Sequence, residues 1–212
     1  MIVCGFPRSG TSLMLVLLYG SVTNYKVKAE RESKKLEWQW ENGEEFILKG
    51  PHLLALKPER PVILVRDPRS VVTSVMSAQR DPNLNYFIGL EPRGSQMGIY
   101  GLFEVIRDHY SNHDHLLVKY EDFVSDPDKT QDLVGDYWGL EYSRRWSEYP
   151  KDWRIPNIGK WEDKLNGVRG FDSGHDWKSH IPRVRKQFKR NPQIQDILEY
   201  FGYDGSDWQG AL

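Results

Sequence analysis

The chain has 212 residues, room for one domain with a full core, and its 29 Lys and Arg against 30 Asp and Glu leave a net charge of −1. With a pI of about 6.6, no basic field exists to draw nucleic acid, and no stretch reaches the roughly 18 apolar residues of a membrane span. The lone cysteine, Cys4, allows no intramolecular disulfide and points to a reducing, cytoplasmic setting.

Met1 to Cys4 is short, apolar and partly β-branched, as in a buried strand. Leu13 to Leu18 is rich in Leu and Met, as in a helix. Between them runs Gly5-Phe6-Pro7-Arg8-Ser9-Gly10-Thr11-Ser12. A glycine-rich turn from strand into helix aims several backbone N–H groups at one point, and the helix dipole adds to them. The result is an anion cradle sized for a phosphate. It is not a Walker A loop, which needs Lys after the second glycine; Thr11 stands there, and the cation has moved inside the loop to Arg8. Such a loop suits gripping a terminal phosphate better than activating one. Cys4 reads as a small core residue rather than a nucleophile. The run Leu13–Leu18 lacks the basic leader of a signal peptide.

Pro7-Arg8-Ser9-Gly10-Thr11-Ser12-Leu13 resembles the 5′-phosphosulfate loop of sulfotransferases that use 3′-phosphoadenosine 5′-phosphosulfate (PAPS), closest to the tyrosylprotein and bacterial branches. The resemblance implies that Arg8, Ser9, Gly10, Thr11 and Ser12 bind the 5′ end of PAPS. Golgi members carry an N-terminal anchor, whereas this chain opens at its first strand. A second strand is expected over Tyr25–Ala29. The run from Glu30 to Glu45 is dense in charge, and read by itself it is a solvated face. In the tyrosylprotein branch a catalytic glutamate lies just past the first helix. By that resemblance Glu30 is the general base, with Glu32 as the alternative.

Phe46–Lys49 reads as a short strand ending in a cation and stopped by Gly50-Pro51. The segment Lys49-Gly50-Pro51-His52 resembles the family's lysine segment, which implies that Lys49 stabilises the leaving oxygen. His52 falls one residue later than the histidine base of the cytosolic branch, and stands as a reserve base or a structural histidine. Pro61–Val65 is a continuous apolar run, as in a central parallel strand. Asp67 and Pro68 then open a helix as N-cap and first residue, with Val71, Val72, Val75 and Met76 on its buried stripe. Arg66 therefore stands at a strand's carboxyl end, where α/β folds bind ligands. Arg66 and Ser74, eight residues apart, resemble the family's 3′-phosphate pair. A Walker B strand would need Asp where Arg66 stands.

Residues 81–94 read as a loop. Ile99, Phe103, Ile106 and Tyr110 give one stripe of a helix. His109, His113 and His115 lie close in sequence, but no carboxylate pattern around them argues for a metal. Leu116–Phe123 is the next strand and its exit, and Asp126-Pro127 caps a helix with Leu133, Val134, Tyr137 and Trp138 on one face. Val118-Lys119-Tyr120-Glu121-Asp122 resembles a family segment whose tyrosine meets the adenine, so Tyr120 inherits that contact. Gly159-Lys160-Trp161 resembles a segment that folds over the nucleotide, with Lys160 as a phosphate ligand. Residues 165–179 read as a candidate lid. A last helix is capped by Asn191, started by Pro192 and ended by Gly202. The eight tryptophans are scattered, which leaves core packing and an aromatic-lined acceptor pocket both open.

These readings converge on a single α/β domain over residues 1–212, doubly wound around a central parallel sheet. The resemblance implies the P-loop NTPase-like sulfotransferase fold, PAPS as sulfuryl donor with PAP as product, no metal, and a small-molecule or glycan acceptor. A nucleotide-binding protein without sulfotransfer activity is one alternative. A nucleotide kinase is the other, and it would need Lys in place of Thr11.

Overall fold

A computed structural model describes residues 1–27, 46–49, 51–78, 98–149 and 177–204, with the backbone alone at Phe46, Leu48, Pro51, His52, Arg183 and residues 75–78. Five parallel strands make one sheet: β1 (Ile2–Gly5), β2 (Lys26–Val27), β3 (Phe46–Lys49), β4 (Val62–Val65) and β5 (Leu116–Lys119). Their order is β2-β3-β1-β4-β5. The chain therefore leaves β1 in one direction for β2 and β3, and returns past it to β4 and β5.

Alternation along each strand divides the core in two. Ile2, Cys4, Ile63 and Val65 face one side, and Val3, Val62, Leu64, Ile47 and Val118 face the other. On the second side lie α1 (Thr11–Ser21), α4 (Tyr120–Ser125) and α5 (Pro127–Trp138). On the first lie α2 (Pro68–Ala78), α3 (Ile99–Val105, running on as a π-helical turn over Ile106–Tyr110), α6 (Ile181–Arg190) and α7 (Ile194–Tyr200). The sheet is thus covered on both faces, and its central strands β1 and β4 are continuous apolar runs because neither face meets water there. Helix α1 is apolar all round, with every residue from Leu13 to Leu18 buried.

The expected stripe Ile99, Phe103, Ile106 and Tyr110 is buried. Val71 and Val72 are buried on α2, whose Asp67 N-cap accepts from Arg69 N–H at 2.8 Å. Two readings need correction. Leu133 is 47% exposed; the buried face of α5 carries Thr130, Gln131, Val134, Gly135 and Trp138 instead. The polar Gln131 goes inward because its amide donates to Arg144 O at 2.8 Å and accepts from Trp146 N–H at 2.9 Å. The last helix also starts later, at Ile194, because Asn191 closes a helix that the sequence reading missed. Asn191 N–H donates to Gln187 O at 3.0 Å at the end of α6. That helix buries only Val184, Gln187 and Phe188, and its stripe is hidden among Arg183, Arg185, Lys186, Lys189 and Arg190. Gly202 terminates α7 with φ 66°.

Trp138 and Trp146 belong to the core beneath α1 and α5, and the Trp146 indole N–H donates to Ser21 Oγ at 3.1 Å. Trp38, Trp40, Trp153 and Trp161 lie outside the described residues.

Gly5 ends β1 with φ 137°, and a Cβ there would stand 1.9 Å from Leu64 O on β4. Both the conformation and the contact exclude a side chain. Gly5→Ala is expected to cost about 3 kcal/mol or more, measured as a shift in urea midpoint; a shift under about 0.5 kcal/mol would contradict this strand-to-loop geometry.

Candidate active site

The pairings bring four strand ends to one edge of the sheet. Gly5 lies opposite Leu64, Val3 opposite Lys49, and Val65 opposite Lys119. Loop 6–10, Lys49, Arg66 and Tyr120 therefore leave the sheet side by side. This is the carboxyl edge, next to the point where the strand order reverses, where open α/β sheets bind ligands.

The loop is held tightly. Phe6 N–H donates to Leu64 O at 2.9 Å, and the Phe6 ring is buried edge-on to Phe201 at 5.9 Å. Ser9 is buried, and its hydroxyl donates to Phe6 O at 2.6 Å, so its side chain fastens the loop from inside. Arg8 takes a left-handed φ of 62°, a conformation that non-glycine residues rarely adopt. It turns the exposed Arg8 side chain outward at the loop's tip. Gly10 (φ 88°) precedes α1 without any side-chain cap, and the first turn of α1 contains no acidic residue. No carboxylate in its own first turn offsets the helix's positive end. Thr11 is buried at the start of α1, and Ser12 is half-buried.

Four chain-distant groups then close a ring of contacts. Arg8 Nε donates to Ser74 Oγ at 3.1 Å. Arg66 Nη1 donates to Arg8 O at 3.0 Å. The Arg66 guanidinium stacks on the Tyr120 ring at 4.1 Å. Tyr120 in turn packs so closely on Gly10 that a Cβ there would meet its ring at 2.6 Å. Arg66 is 5% exposed, and its Nε has no hydrogen-bond partner. Burial pushes the guanidinium's pKa down, and Tyr120 and Glu121 partly offset it.

Behind this ring lies a set of groups that the sequence reading did not assign. Glu121 accepts from Asp67 N–H at 3.1 Å and from the Tyr203 hydroxyl at 3.0 Å. The Asp67 carboxylate takes the buried Arg69 in a two-pronged pair, at 3.0 Å to Nε and 2.8 Å to Nη2. Arg69 also donates to Asp204 O at 2.8 Å and stacks on Trp177 at 4.2 Å. Asp67 was expected only as an N-cap and Glu121 only as part of the Val118–Asp122 segment, and nothing local marks Tyr203.

Lys49 ends β3, half-buried at the same edge. His52 falls in the 3-10 turn Pro51–Leu56, where only its backbone is described. Glu30, Glu32, Lys160 and the Gly159–Trp161 segment lie outside the described residues, as does the candidate lid 165–179 up to its last three positions. Those three open the 3-10 turn Trp177–His180. Cys4 is buried one residue before the loop, and burial raises its thiol far above the usual range, so it supplies no thiolate. His109 and His113 stack at 3.9 Å. Among the described residues no three His, Cys, Asp or Glu side chains gather as metal ligands, and no helix is long and apolar enough to cross a membrane.

Solved structures share this arrangement of a parallel sheet covered by helices on both faces. The chain has the fold of the sulfotransferases. A mouse sulfotransferase, SULT7A1, complexed with PAP aligns over 96% of this chain and 88% of its own, at 13% identity and a TM-score of 0.57. The sulfotransferase domain of the Synechococcus PCC 7002 olefin synthase aligns over 96% and 94%, at 16% identity and a TM-score of 0.56. No family model and no curated protein sequence matches the chain.

Proposed function

We propose that the chain is a sulfotransferase that moves a sulfuryl group from PAPS to a hydroxyl or amine of a small-molecule or glycan acceptor. The observation that carries this reading is the closed ring of Arg8, Ser74, Arg66 and Tyr120 around the glycine loop. It joins the 5′-phosphosulfate loop and the 3′-phosphate pair, two motifs identified independently and 58 residues apart at their arginines. The residues fit a bisphosphorylated nucleotide. Among the described residues Arg66 is a buried cation with an unused Nε donor, and α1 has no acidic residue in its first turn.

On this reading residues 1–212 make one domain, and the buried, unpaired Cys4 fits a cytoplasmic location. Arg8, with the backbone at Ser9 and Gly10 and the start of α1 at Thr11 and Ser12, holds the 5′-phosphosulfate. Arg66 and Ser74 hold the 3′-phosphate, Tyr120 contacts the adenine, and Lys160 covers the phosphates. PAPS supplies the sulfuryl group itself, and PAP is released. Lys49 neutralises charge on the bridging oxygen, and Glu30 accepts the acceptor's proton, with Glu32 and His52 as alternatives. Preorganised cations of this kind do the work that phosphoryl transfer assigns to metal ions, so no metal is required. A nucleotide-binding protein without transfer activity would keep the ring and lack the base; turnover with PAPS and mixed acceptors separates the two.

Arg66→Ala is expected to weaken PAP binding by about 2–4 kcal/mol, as for a lost buried charge partner. Adenosine 5′-phosphosulfate, which lacks the 3′-phosphate, should bind nearly as before. Equal losses for both ligands in titration calorimetry would remove Arg66 from the 3′ site. Activity should survive EDTA; a strict Mg²⁺ requirement would favour the kinase reading. Glu30→Gln should keep PAP affinity and lower turnover by about 10²–10⁴-fold, with His52→Asn costing far less. The reverse order would make His52 the base and Glu30 a surface residue.

A further inference from the structure

The exit of β4 is gripped from the far end of the chain. In the β4–β5 pairing Val65 lies opposite Lys119, and the next two residues on each side continue the match through side chains. Tyr120 stacks on Arg66, and Glu121 accepts the Asp67 N–H. Residues 203 and 204 then reach Asp67 by two routes. The Tyr203 hydroxyl holds the other oxygen of Glu121 at 3.0 Å. Asp204 O holds Arg69 at 2.8 Å, and Arg69 clasps the Asp67 carboxylate. The residue directly after Arg66 is thus fixed at its N–H and at its carboxylate. Burial and the neighbouring Glu121 carboxylate hold the Tyr203 phenol far above its ordinary range, so it remains a donor to Glu121. Lys119 lies over its ring at 5.1 Å.

We propose that Tyr203, acting through Glu121, is a positioning residue that sets the Arg66 guanidinium for a nucleotide 3′-phosphate and so determines selectivity for 3′-phosphorylated nucleotides. This rests on the assignment of Arg66 to the 3′-phosphate. Arg66 has few ways to adjust: one amino group is committed to the Arg8 carbonyl, and its planar face to Tyr120. Its placement therefore depends on the backbone at residues 66 and 67. Tyr203→Phe deletes one hydroxyl and leaves the ring in place. Freed of that donor, Glu121 can turn away from Asp67 N–H, and the backbone behind Arg66 gains freedom.

The test is calorimetric titration of PAP and of adenosine 5′-phosphosulfate into the wild type, Tyr203→Phe, Glu121→Gln, Arg66→Ala and the Tyr203→Phe/Arg66→Ala double variant. Tyr203→Phe and Glu121→Gln should each weaken PAP by about 3- to 10-fold, the scale of one ordinary hydrogen bond acting indirectly on Arg66. Adenosine 5′-phosphosulfate should stay within about twofold, because its 3′ hydroxyl makes no demand on a charged guanidinium. In turnover the loss should fall on the KM for PAPS rather than on kcat. In the Arg66→Ala background Tyr203→Phe should add nothing to the loss of PAP affinity. Equal weakening of both nucleotides, no weakening of either, or an additive double variant overturns the proposal and leaves the sulfotransferase reading intact. If Arg66→Ala itself fails to separate the two nucleotides, the 3′-phosphate assignment falls, and the proposal with it.

Discussion

A guanidinium withdrawn from water must be compensated by its immediate surroundings, at a desolvation cost of several kcal/mol. Arg66 is such a group, and much of the site is arranged around it. Its compensation comes from three sources: a carbonyl of the phosphate loop, the face of an aromatic ring and the field of a carboxylate. Each source constrains a different element. The carbonyl fixes the loop at Arg8, where the backbone adopts a left-handed conformation. The ring fixes the start of α4 against Gly10. The carboxylate fixes α4 again, one residue on, and through Tyr203 the end of the chain that follows α7. One buried charge thereby holds together elements from four parts of the sequence.

The strand, turn and helix at residues 2–21 were legible because their signal is local. Two glycines, a cation between them and an apolar run on either side suffice to place strand, turn and helix, and β1 and α1 fall there. Arg66 was legible for the same reason, since an apolar run followed by an N-cap and a proline marks a strand end entering a helix. The grip on Asp67 was not legible. It depends on Glu121, 54 positions from Asp67, and on Asp204, 135 positions from Arg69, and no local pattern encodes contacts of that span. The two helix errors have one origin: hydrophobicity was taken as the guide to facing. On α5 the polar Gln131 is inward because a backbone amide and a carbonyl wait for it. On α6 the cations outnumber the apolar residues that dock the helix.

The strand order also governs when the fold can form. β1 is the middle of the sheet, yet its two neighbours, β3 and β4, follow it by more than 40 and more than 55 residues of chain. During synthesis, β1 and α1, which is apolar from Leu13 to Leu18, emerge well before the strands that flank β1. That interval ends only when residues through Val65 are available to flank β1 on both sides. Such a long-range parallel topology is slow to close and leaves apolar surface open to association meanwhile. The same placement that sets the loop after β1 between two neighbouring strands makes its final geometry wait on chain that follows much later.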